Sequence, residues 1–547
     1  MLGPPKLRCL DRPIAVSLEA LVPPDNFYRH LDAKLDLGFV RELVHDRYAD
    51  GGRPSIDPVV FFKLQLVMFF EGVRSERKLV EVASLHLAHR WYPGYHLDEP
   101  LPDHSSLTRI RNRYGLAVFR RFFERVVESC REAGPVWGKE LFFDATRVPA
   151  NAALDSLAPR LREVAREHLD DLFDADGTDR PEASAADAPP RLHPRGADGA
   201  DGTTGGPLDA RWDLLTECRL DPDRPPAHRY RRTGAMRVST TDPDAAPMSG
   251  GGRTKLGYHA HYVVDGGRAR VILYALVTPA DVMENRPMLD LLRRVRFRWR
   301  LRPKRAVGDT TYGTAENIRE LEDAGVRAYV PRPDWEQRTP FYGPSRFAYD
   351  AGRDEHRCPQ GQPLRRWKAN HAEEVVTYRA SAAACNACPV KAACTTSRRG
   401  RMVQRSVHAA YLERVRAYHA TPAYAKAMRK RKVWIEPLFA EAKQWHGLHR
   451  FRLRGVQKVN CEGLLVASGQ NLKRWLAATG WGRRHGPGGS LFPASGAPVG
   501  AVRRRLPSPA GPKGFFNRLG RSACCLSVST ASGPRSDFRR RQLFPVG

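Results

Sequence analysis

The pattern of hydrophobic and polar residues divides the chain into a helical first part and a second part that mixes strands and helices. Residues 59–70 are mostly apolar, and the preceding Asp57-Pro58 is a typical helix start. Residues 116–134 repeat apolar positions at helical spacing and end at a glycine suited to a helix C-terminus. Ser75 precedes another amphipathic run. The run at 59–70 is too short to cross a membrane, so we expect a buried helix there.

From residue 140 onward, apolar and β-branched residues indicate strands. Gly266 and Gly267 separate two strand-like runs, which predicts a two-residue hairpin turn. The predicted elements are the strands 141–150, 255–267 and 268–280, the helix 284–300, the strand 305–309, the helix 314–325 and the strand 326–331. This order favours an α/β fold with a mixed sheet covered by helices.

The same patterns predict the domain organisation. Residues 174–212 form an acidic insertion too poor in apolar residues to fold, and the last part of the chain lacks any lasting periodicity. The predicted segments are an N-terminal all-α domain at 1–135, an α/β domain at 136–331 and 401–480, a cysteine-containing insertion at 332–400 and a basic disordered tail at 481–547. The N-terminal helices either dock on DNA or only pack on the α/β domain, and the sequence leaves both interpretations open.

Charge narrows the choice of partners. The chain carries 90 Lys and Arg against 60 Asp and Glu, a net charge of +30, and such a surplus favours polyanions. An arginine-rich composition without functional meaning is the alternative. Ten cysteines are too few for a disulfide scaffold, and the start of the chain lacks an apolar signal segment. We therefore expect a cytoplasmic protein that does not insert into a membrane.

Three acidic residues stand where chemistry on nucleic acids would need them. Asp144 and Asp309 each follow a short apolar, β-forming run, which is how a buried strand delivers a carboxylate to the rim of a sheet. Glu436 lies in a segment crowded with Lys and Arg. Three carboxylates that converge can hold two divalent metals about 3.5–4 Å apart, the arrangement that cuts and joins phosphodiesters.

A helical period places the glutamate on a basic face. Arg429, Lys432, Glu436 and Lys443 are spaced by three, four and seven residues and would share one side of a helix. The opposite side would pack on the sheet through Ile435, Leu438, Ala442 and Trp445. A solvated charged face is the alternative interpretation.

Two neighbours of Glu436 complicate that helix. Pro437 predicts either a kink or a helix that begins there with Glu436 as its N-cap residue. Glu441 competes as the functional acid, but it is turned about 140° away from Glu436 on a helix. For Asp242, Asp244 and Asp265, which lie at turns, structural roles are expected instead.

The insertion contains its own candidate site. Cys385, Cys388 and Cys394 follow the pattern C-x2-C-x5-C, and Cys358 lies upstream of them. Four thiolates suffice for a tetrahedral structural Zn²⁺ site, although the spacing is looser than in a zinc ribbon. Four free thiols in a reducing compartment are the alternative.

Taken together, these motifs resemble the bacterial insertion-sequence transposases of the DDE class. In one branch of that class the glutamate lies in a Y-x2-R-x3-E-x6-K signature. The acid and the final lysine match at Glu436 and Lys443, while Lys432 replaces the arginine and Arg429 departs from the tyrosine. The segments FFDATRVPANA, STTDPDA, GDTTYGTAENI and FRLRGVQKVN resemble the same group, as does the helical N-terminus.

The resemblance implies an RNase H-like catalytic domain that cleaves and joins DNA. Asp144, Asp309 and Glu436 would bind Mg²⁺, with Mn²⁺ as a substitute. The expected DNA contacts are Arg429, Lys432, Lys443, Arg450, Arg452 and Arg454. The partners would be double-stranded DNA, at the element ends and at the target, and a second protomer in the synaptic complex. An inactive DNA-binding remnant and a nuclease without joining activity stay open as alternatives.

Overall fold

A computed structural model gives the structure of the protein. It describes residues 15–481 apart from 50, 52–53, 161–236, 251, 333–335 and 337–339. The predicted disorder at 174–212 and after residue 481 lies outside the described residues.

The N-terminal part is helical, as predicted. Its helices are α1 (Leu18–Leu21), α2 (Phe27–Lys34), α3 (Phe39–Val44), α4 (Pro58–Phe70), α5 (Glu76–Leu85), α6 (Leu87–Trp91) and α7 (His104–Glu132). Asp57 caps α4 by accepting a hydrogen bond from the Val59 N–H at 2.9 Å, and Ser75 caps α5, so both predicted helix starts are confirmed. A kink at Gly115 interrupts α7. In the described part of the chain, no helix has the length and apolarity needed to cross a membrane.

The main sheet of the described residues is mixed, which confirms the prediction. Its strands are β1 (Glu140–Pro149), β4 (Ala246–Gly250), β5 (Arg253–Asp265), β6 (Ile272–Pro279), β7 (Arg305–Val307) and β8 (Arg327–Tyr329). The strands pair in the order β4-β5-β1-β7-β8, and β6 also pairs with β5. β1 is antiparallel to β5 but parallel to β7. The short strands β2 (Leu157–Pro159) and β3 (Arg237–Ser239) form a separate pair.

The turn after β5 is wider than predicted. β5 ends at Asp265 and β6 begins at Ile272, so the two glycines do not close a two-residue hairpin. The Asp265 carboxylate instead accepts hydrogen bonds from the backbone N–H groups of Trp137, Gly138 and Gly267, at 2.7–2.9 Å. These bonds, together with the bond from Gly266 N–H to the Glu140 carbonyl, tie the chain to the segment that enters β1.

Helices cover the sheet and supply the remaining elements of the α/β part. They are α8 (Met288–Trp299), α9 (Ala315–Asp323), α12 (Ala409–His419), α13 (Pro422–Trp434), α14 (Glu436–Trp445) and α15 (Val456–Ala478). Two buried asparagines of α15 fix it on β6. Asn460 bonds the N–H and carbonyl of Val277, and Asn471 bonds those of Ile272, each at 2.7–2.8 Å. Each amide satisfies a backbone donor and acceptor that would otherwise be unpaired in the core.

The cysteine-containing insertion forms a second sheet in the described residues. Its antiparallel strands are β9 (Ala348–Asp350), β10 (Glu355–Arg357), β11 (Pro363–Asn370), β12 (Val375–Ala380) and β13 (Met402–Ser406), with the short helices α10 (Ala382–Asn386) and α11 (Lys391–Cys394). The sheet therefore extends beyond the boundary predicted at residue 400.

Candidate active site

Asp144 and Asp309 meet because their strands are parallel neighbours. Phe142 of β1 pairs with Val307 of β7, and each aspartate lies two residues beyond its member of that pair. Equal offsets from a paired position place both carboxylates at the same end of the sheet. The Asp309 carboxylate accepts a hydrogen bond from the Thr311 N–H at 2.8 Å, which fixes the turn after β7.

Glu436 arrives from a helix that begins at that residue. α13 ends at Trp434, the buried Ile435 joins the two helices, and Pro437 occupies the first turn of α14. Proline suits a first turn because it has no N–H to donate, whereas within a continuous helix it would clash with the preceding turn. Of the two arrangements predicted from Pro437, the structure shows the helix start, but the N-cap residue is Ile435 and Glu436 is the first residue of the helix.

One guanidinium lies among the three acids. The Arg431 side chain is 3.1 Å from Asp144, 3.9 Å from Asp309 and 3.5 Å from Glu436, measured between nitrogen and oxygen atoms. The three carboxylates, from β1, the turn after β7 and the start of α14, therefore converge on a single cationic group. The sequence carries no signal for Arg431, because nothing in the run RKRK distinguishes it from its neighbours.

The three acids differ in their exposure to solvent. The side chain of Asp144 is 10% exposed, that of Asp309 34% and that of Glu436 52%. Burial raises the pKa of the Asp144 carboxyl to about 6, although the charge of Arg431 and the bond from the Ala145 N–H oppose the shift. The site is therefore open to solvent on the side of Glu436 and closed on the side of Asp144.

A lysine lies on the same face of β1 as Asp144. Lys443 of α14 donates a hydrogen bond to the Thr146 hydroxyl at 2.6 Å, and Thr146 is two residues beyond Asp144 on the strand. Successive side chains of a strand alternate between faces, so both residues point to one side. Burial lowers the pKa of the Lys443 ammonium.

The predicted basic stripe is only partly realised. Arg429 and Lys432 are exposed on α13, whereas Lys443 is on α14, so the break at Ile435 interrupts the single helical face. On the opposite side, Ile435, Leu438 and Ala442 are buried as predicted. Trp445 is not buried: it is 60% exposed, because it lies at the end of α14 beyond the packed part of that helix.

The arginines after α14 are anchored to the protein. Arg450 donates to the Ala150 carbonyl at 3.1 Å, and Arg454 donates to the Asn151 carbonyl at 3.0 Å. Arg452 lies 3.6 Å from Glu76 of the N-terminal helices. Arg450 and Arg454 are nevertheless exposed, while Arg452 is half-buried.

The other acids weighed from the sequence lie in structural settings. Burial opposes the charged form of Glu441, but its bond with His446 and the charges of Arg474 and Lys473 hold the pKa of its carboxyl well below the usual range. Asp242 accepts from the Tyr258 hydroxyl, and Asp244 accepts from the Val456 N–H at the start of α15. Together with the bonds of Asp265, these contacts agree with the structural roles expected for the turn aspartates.

The four cysteines of the insertion line one cavity. Cys358, Cys385, Cys388 and Cys394 all border it and are free thiols. Burial raises the pKa of the Cys394 thiol.

The described residues include no group of three or more His, Cys, Asp or Glu side chains already arranged to hold a metal ion. At the acidic site the Arg431 guanidinium lies within 4 Å of all three carboxylates. The donor set of three carboxylates fits hard divalent ions, which prefer oxygen ligands.

Two family models match the chain. Residues 16–113 match a family described as "Transposase domain (DUF772)", and residues 357–476 match one described as "Transposase DDE domain". The second match includes Glu436 and most of the second sheet, while Asp144 and Asp309 lie outside both ranges. Searches of curated proteins and of solved structures found no significant match.

Proposed function

We propose that the protein binds the terminal inverted repeats of its element and catalyses metal-dependent DNA cleavage and strand transfer. The premise is that the two matches indicate an insertion-sequence transposase of the DDE class. The observation that supports this proposal is the convergence of Asp144, Asp309 and Glu436 on Arg431. Three carboxylates around a cation, where two neighbouring strands of a mixed sheet end, form a site suited to phosphodiester chemistry.

The proposed domains follow from this function. We assign 136–331 and 401–480, apart from β13 of the second sheet, to an RNase H-like catalytic domain and 1–135 to a helical domain that binds the element ends. The match of 16–113 to a transposase domain supports the second assignment. The insertion at 332–400 and the tail at 481–547 complete the proposed organisation, and processing two ends would require at least two protomers.

Asp144, Asp309 and Glu436 would hold Mg²⁺, or Mn²⁺ in its place. When bound, a pair of such cations supplies Lewis-acid stabilisation of the attacking and leaving oxygens of an in-line displacement. The protein positions the ligands: the parallel pairing of β1 and β7 sets Asp144 beside Asp309, and the break before Pro437 brings Glu436 to them.

Arg431 keeps the three carboxylates together before any metal arrives. Like charges this close would otherwise repel one another, and the guanidinium offsets that repulsion. A divalent cation that takes the same carboxylates must displace Arg431. The arginine is thus a positioning residue and also a competitor for the metal.

This competition predicts the behaviour of Arg431→Gln. Loss of the competing charge should tighten Mn²⁺ binding, measured by calorimetry, by roughly tenfold, which corresponds to about 1.4 kcal/mol of cation repulsion. Arg429→Gln, which removes the same charge from an exposed position on the same helix, is the matched control. Equal affinities in the two variants would show that Arg431 does not compete.

The proposed DNA contacts surround the acids. Lys443 would hold a phosphate near the scissile bond, and the exposed Arg429, Lys432, Arg450 and Arg454 would follow the backbone. We also propose that Arg452 contacts the DNA backbone. A phosphate would then have to replace Glu76 as the partner of its guanidinium.

We also propose that the four cysteines of the insertion bind a structural Zn²⁺. Their position around one cavity supports this, although the thiols must rotate to reach a common metal. The ion would join β10 to the helices α10 and α11. Elemental analysis should find about one zinc per chain, and purified protein without zinc would exclude the site.

The proposed chemistry is tested by cleavage of a duplex that contains an element end. Asp144→Asn, Asp309→Asn and Glu436→Gln should each lower Mg²⁺-dependent cleavage roughly 1,000-fold or more, about 4 kcal/mol, while end binding persists. The control is Asp46→Asn, which changes a fully exposed acid. A variant that cleaves like the wild type would remove its residue from the proposed site.

The same assay separates the alternatives. A nuclease without joining activity would release cut ends but no strand-transfer product, and an inactive remnant would bind DNA without cutting it. Pro437 does not argue for a remnant, because Glu436 reaches Arg431 in its presence.

A further inference from the structure

The second sheet has one packed face and one exposed face. Leu364, Tyr378 and Val403 are buried on neighbouring strands and pack with Cys394 and Phe347. Side chains alternate along each strand, so the residues between them form the opposite, outer face.

A β-bulge changes what β11 presents on that outer face. Arg365 pairs with Arg379 and Arg366 with Tyr378, but the register then shifts, and Lys368 pairs with Thr377. Trp367 is the extra residue of the bulge. Without the shift, Lys368 would fall on the packed face; with it, Lys368 joins Arg365 and Arg379 on the outer face.

Trp367 lies among these cations as an exposed aromatic ring. Its side chain is 56% exposed, and the Arg379 guanidinium lies over the ring, 5.3 Å from its centroid. The adjacent strand β13 adds the partly exposed Met402, which pairs with Arg379. A tryptophan left open to solvent beside an arginine offers a flat surface on which another ring can stack.

The net charge of the segment that contains the second sheet favours binding of a polyanion. Residues 340–406 contain 12 Lys and Arg against five Asp and Glu, a surplus of seven. The acids Glu355 and Asp350 continue the outer face on β10 and β9, but Glu355 is 12% exposed and lies 3.1 Å from Arg357. On β10 the charge of Arg357 is offset by Glu355, so the net positive charge of the face lies on β11 and β12.

We propose that the outer face of β11–β13, centred on Trp367, binds a single-stranded segment of DNA. Arg365, Lys368 and Arg379 contact its phosphates, and Trp367 stacks on an unpaired base. Proteins that hold single strands combine a basic track with exposed aromatic rings in this way, whereas the bases of a duplex are already stacked. The choice of DNA as the polymer rests on the proposed function; the surface itself does not involve the three acids.

The phosphate contacts are tested by a pair of matched double variants. Arg365→Gln with Lys368→Gln should weaken binding of a labelled oligothymidine in buffer without added Mg²⁺ or Mn²⁺, and flatten its dependence on log salt by about 1.4, since each lost contact with a single strand contributes about 0.7. Arg302→Gln with Lys304→Gln removes the same two charges from exposed positions at the opposite end of β7 from Asp309. An equal slope in both variants would overturn the proposal.

The stacking contact is tested separately. Trp367→Ala should lower affinity for the oligothymidine about tenfold and leave affinity for a blunt duplex unchanged. Phe297→Ala, at an aromatic residue that is 75% exposed on α8, is the control. An unchanged single-strand affinity, or an equal loss on the duplex, would overturn the role of Trp367. Because no Mg²⁺ or Mn²⁺ is added in these measurements, they are independent of whether the protein cleaves DNA.

Discussion

At the scale of single residues, the acidic site combines a destabilising carboxylate with a stabilising cation. Asp144 is buried, and burial raises the pKa of its carboxyl to about 6 from its ordinary value of 3.8, even with Arg431 at 3.1 Å. A carboxylate kept charged at a cost to folding is typical of functional sites, which retain such groups because the chemistry needs them.

The sign of this shift predicts how Asp144→Asn changes stability with pH. A folded pKa above the unfolded one means that the carboxyl stabilises the fold below about pH 4, and that this contribution is lost as pH rises through about 6. The shift corresponds to at most about 3 kcal/mol. Asp144→Asn should therefore raise the melting temperature at pH 8 by several degrees, roughly 2–4 °C per kcal/mol, and by much less at pH 4.

Differential scanning calorimetry at the two pH values measures this directly. Asp46→Asn, at an exposed acid, should show no such pH-dependent gain. A lower melting temperature for Asp144→Asn at pH 8 would mean that the ion pair with Arg431 outweighs the burial.

At the scale of elements, close packing against the N-terminal helices holds the glutamate helix in place. Phe69 of α4 stacks on His446, which follows α14, with ring centroids 3.9 Å apart. On its other side Phe69 approaches Gly469 of α15 so closely that a Cβ there would overlap the ring. The phenyl ring thus links α4, α14 and α15.

Gly469→Ala should therefore destabilise the protein. Alanine gains up to about 1 kcal/mol in helix propensity, but the overlap with a buried ring should cost about 1–3 kcal/mol more than this gain. Urea unfolding measures the difference. Combining Gly469→Ala with Phe69→Leu should restore part of the lost free energy of unfolding. A stabilised Gly469→Ala variant would show that α4 and α15 are not packed this closely.

The sequence predicted where helices begin better than it predicted how consecutive helices are rotated relative to each other. Asp57 and Ser75 fixed two helix starts because their side chains cap the backbone locally. Pro437 marked the break before α14, but a helical wheel cannot give the turn of one helix relative to the next across such a break. For that reason Arg429 and Lys432 were expected beside Glu436, and the structure brings Arg431 there instead. The antiparallel pairing of β5 with β6 was predicted correctly, but the two-residue turn between them was wrong, because tertiary bonds of Asp265 to Trp137 and Gly138 decide the shape of the turn.

At the scale of the whole molecule, the site depends on three distant segments meeting. The order of the acids along the chain could be read from the sequence, and the α/β class followed from the order of strands and helices. The convergence itself required the parallel register of β1 and β7 and the packing of α15 on β6, which are set by contacts between distant residues. The β-bulge at Trp367 was likewise invisible in the sequence, because a register shift depends on the partner strand.

Mn²⁺ binding by calorimetry tests most directly whether these segments form one metal site. Glu436→Gln, Asp144→Asn and Asp309→Asn should each weaken Mn²⁺ binding by roughly tenfold or more, since each removes one charged oxygen ligand, while Asp46→Asn should bind like the wild type. Undiminished binding by Glu436→Gln, with binding lost in both aspartate variants, would contradict the proposal that the glutamate helix completes the site.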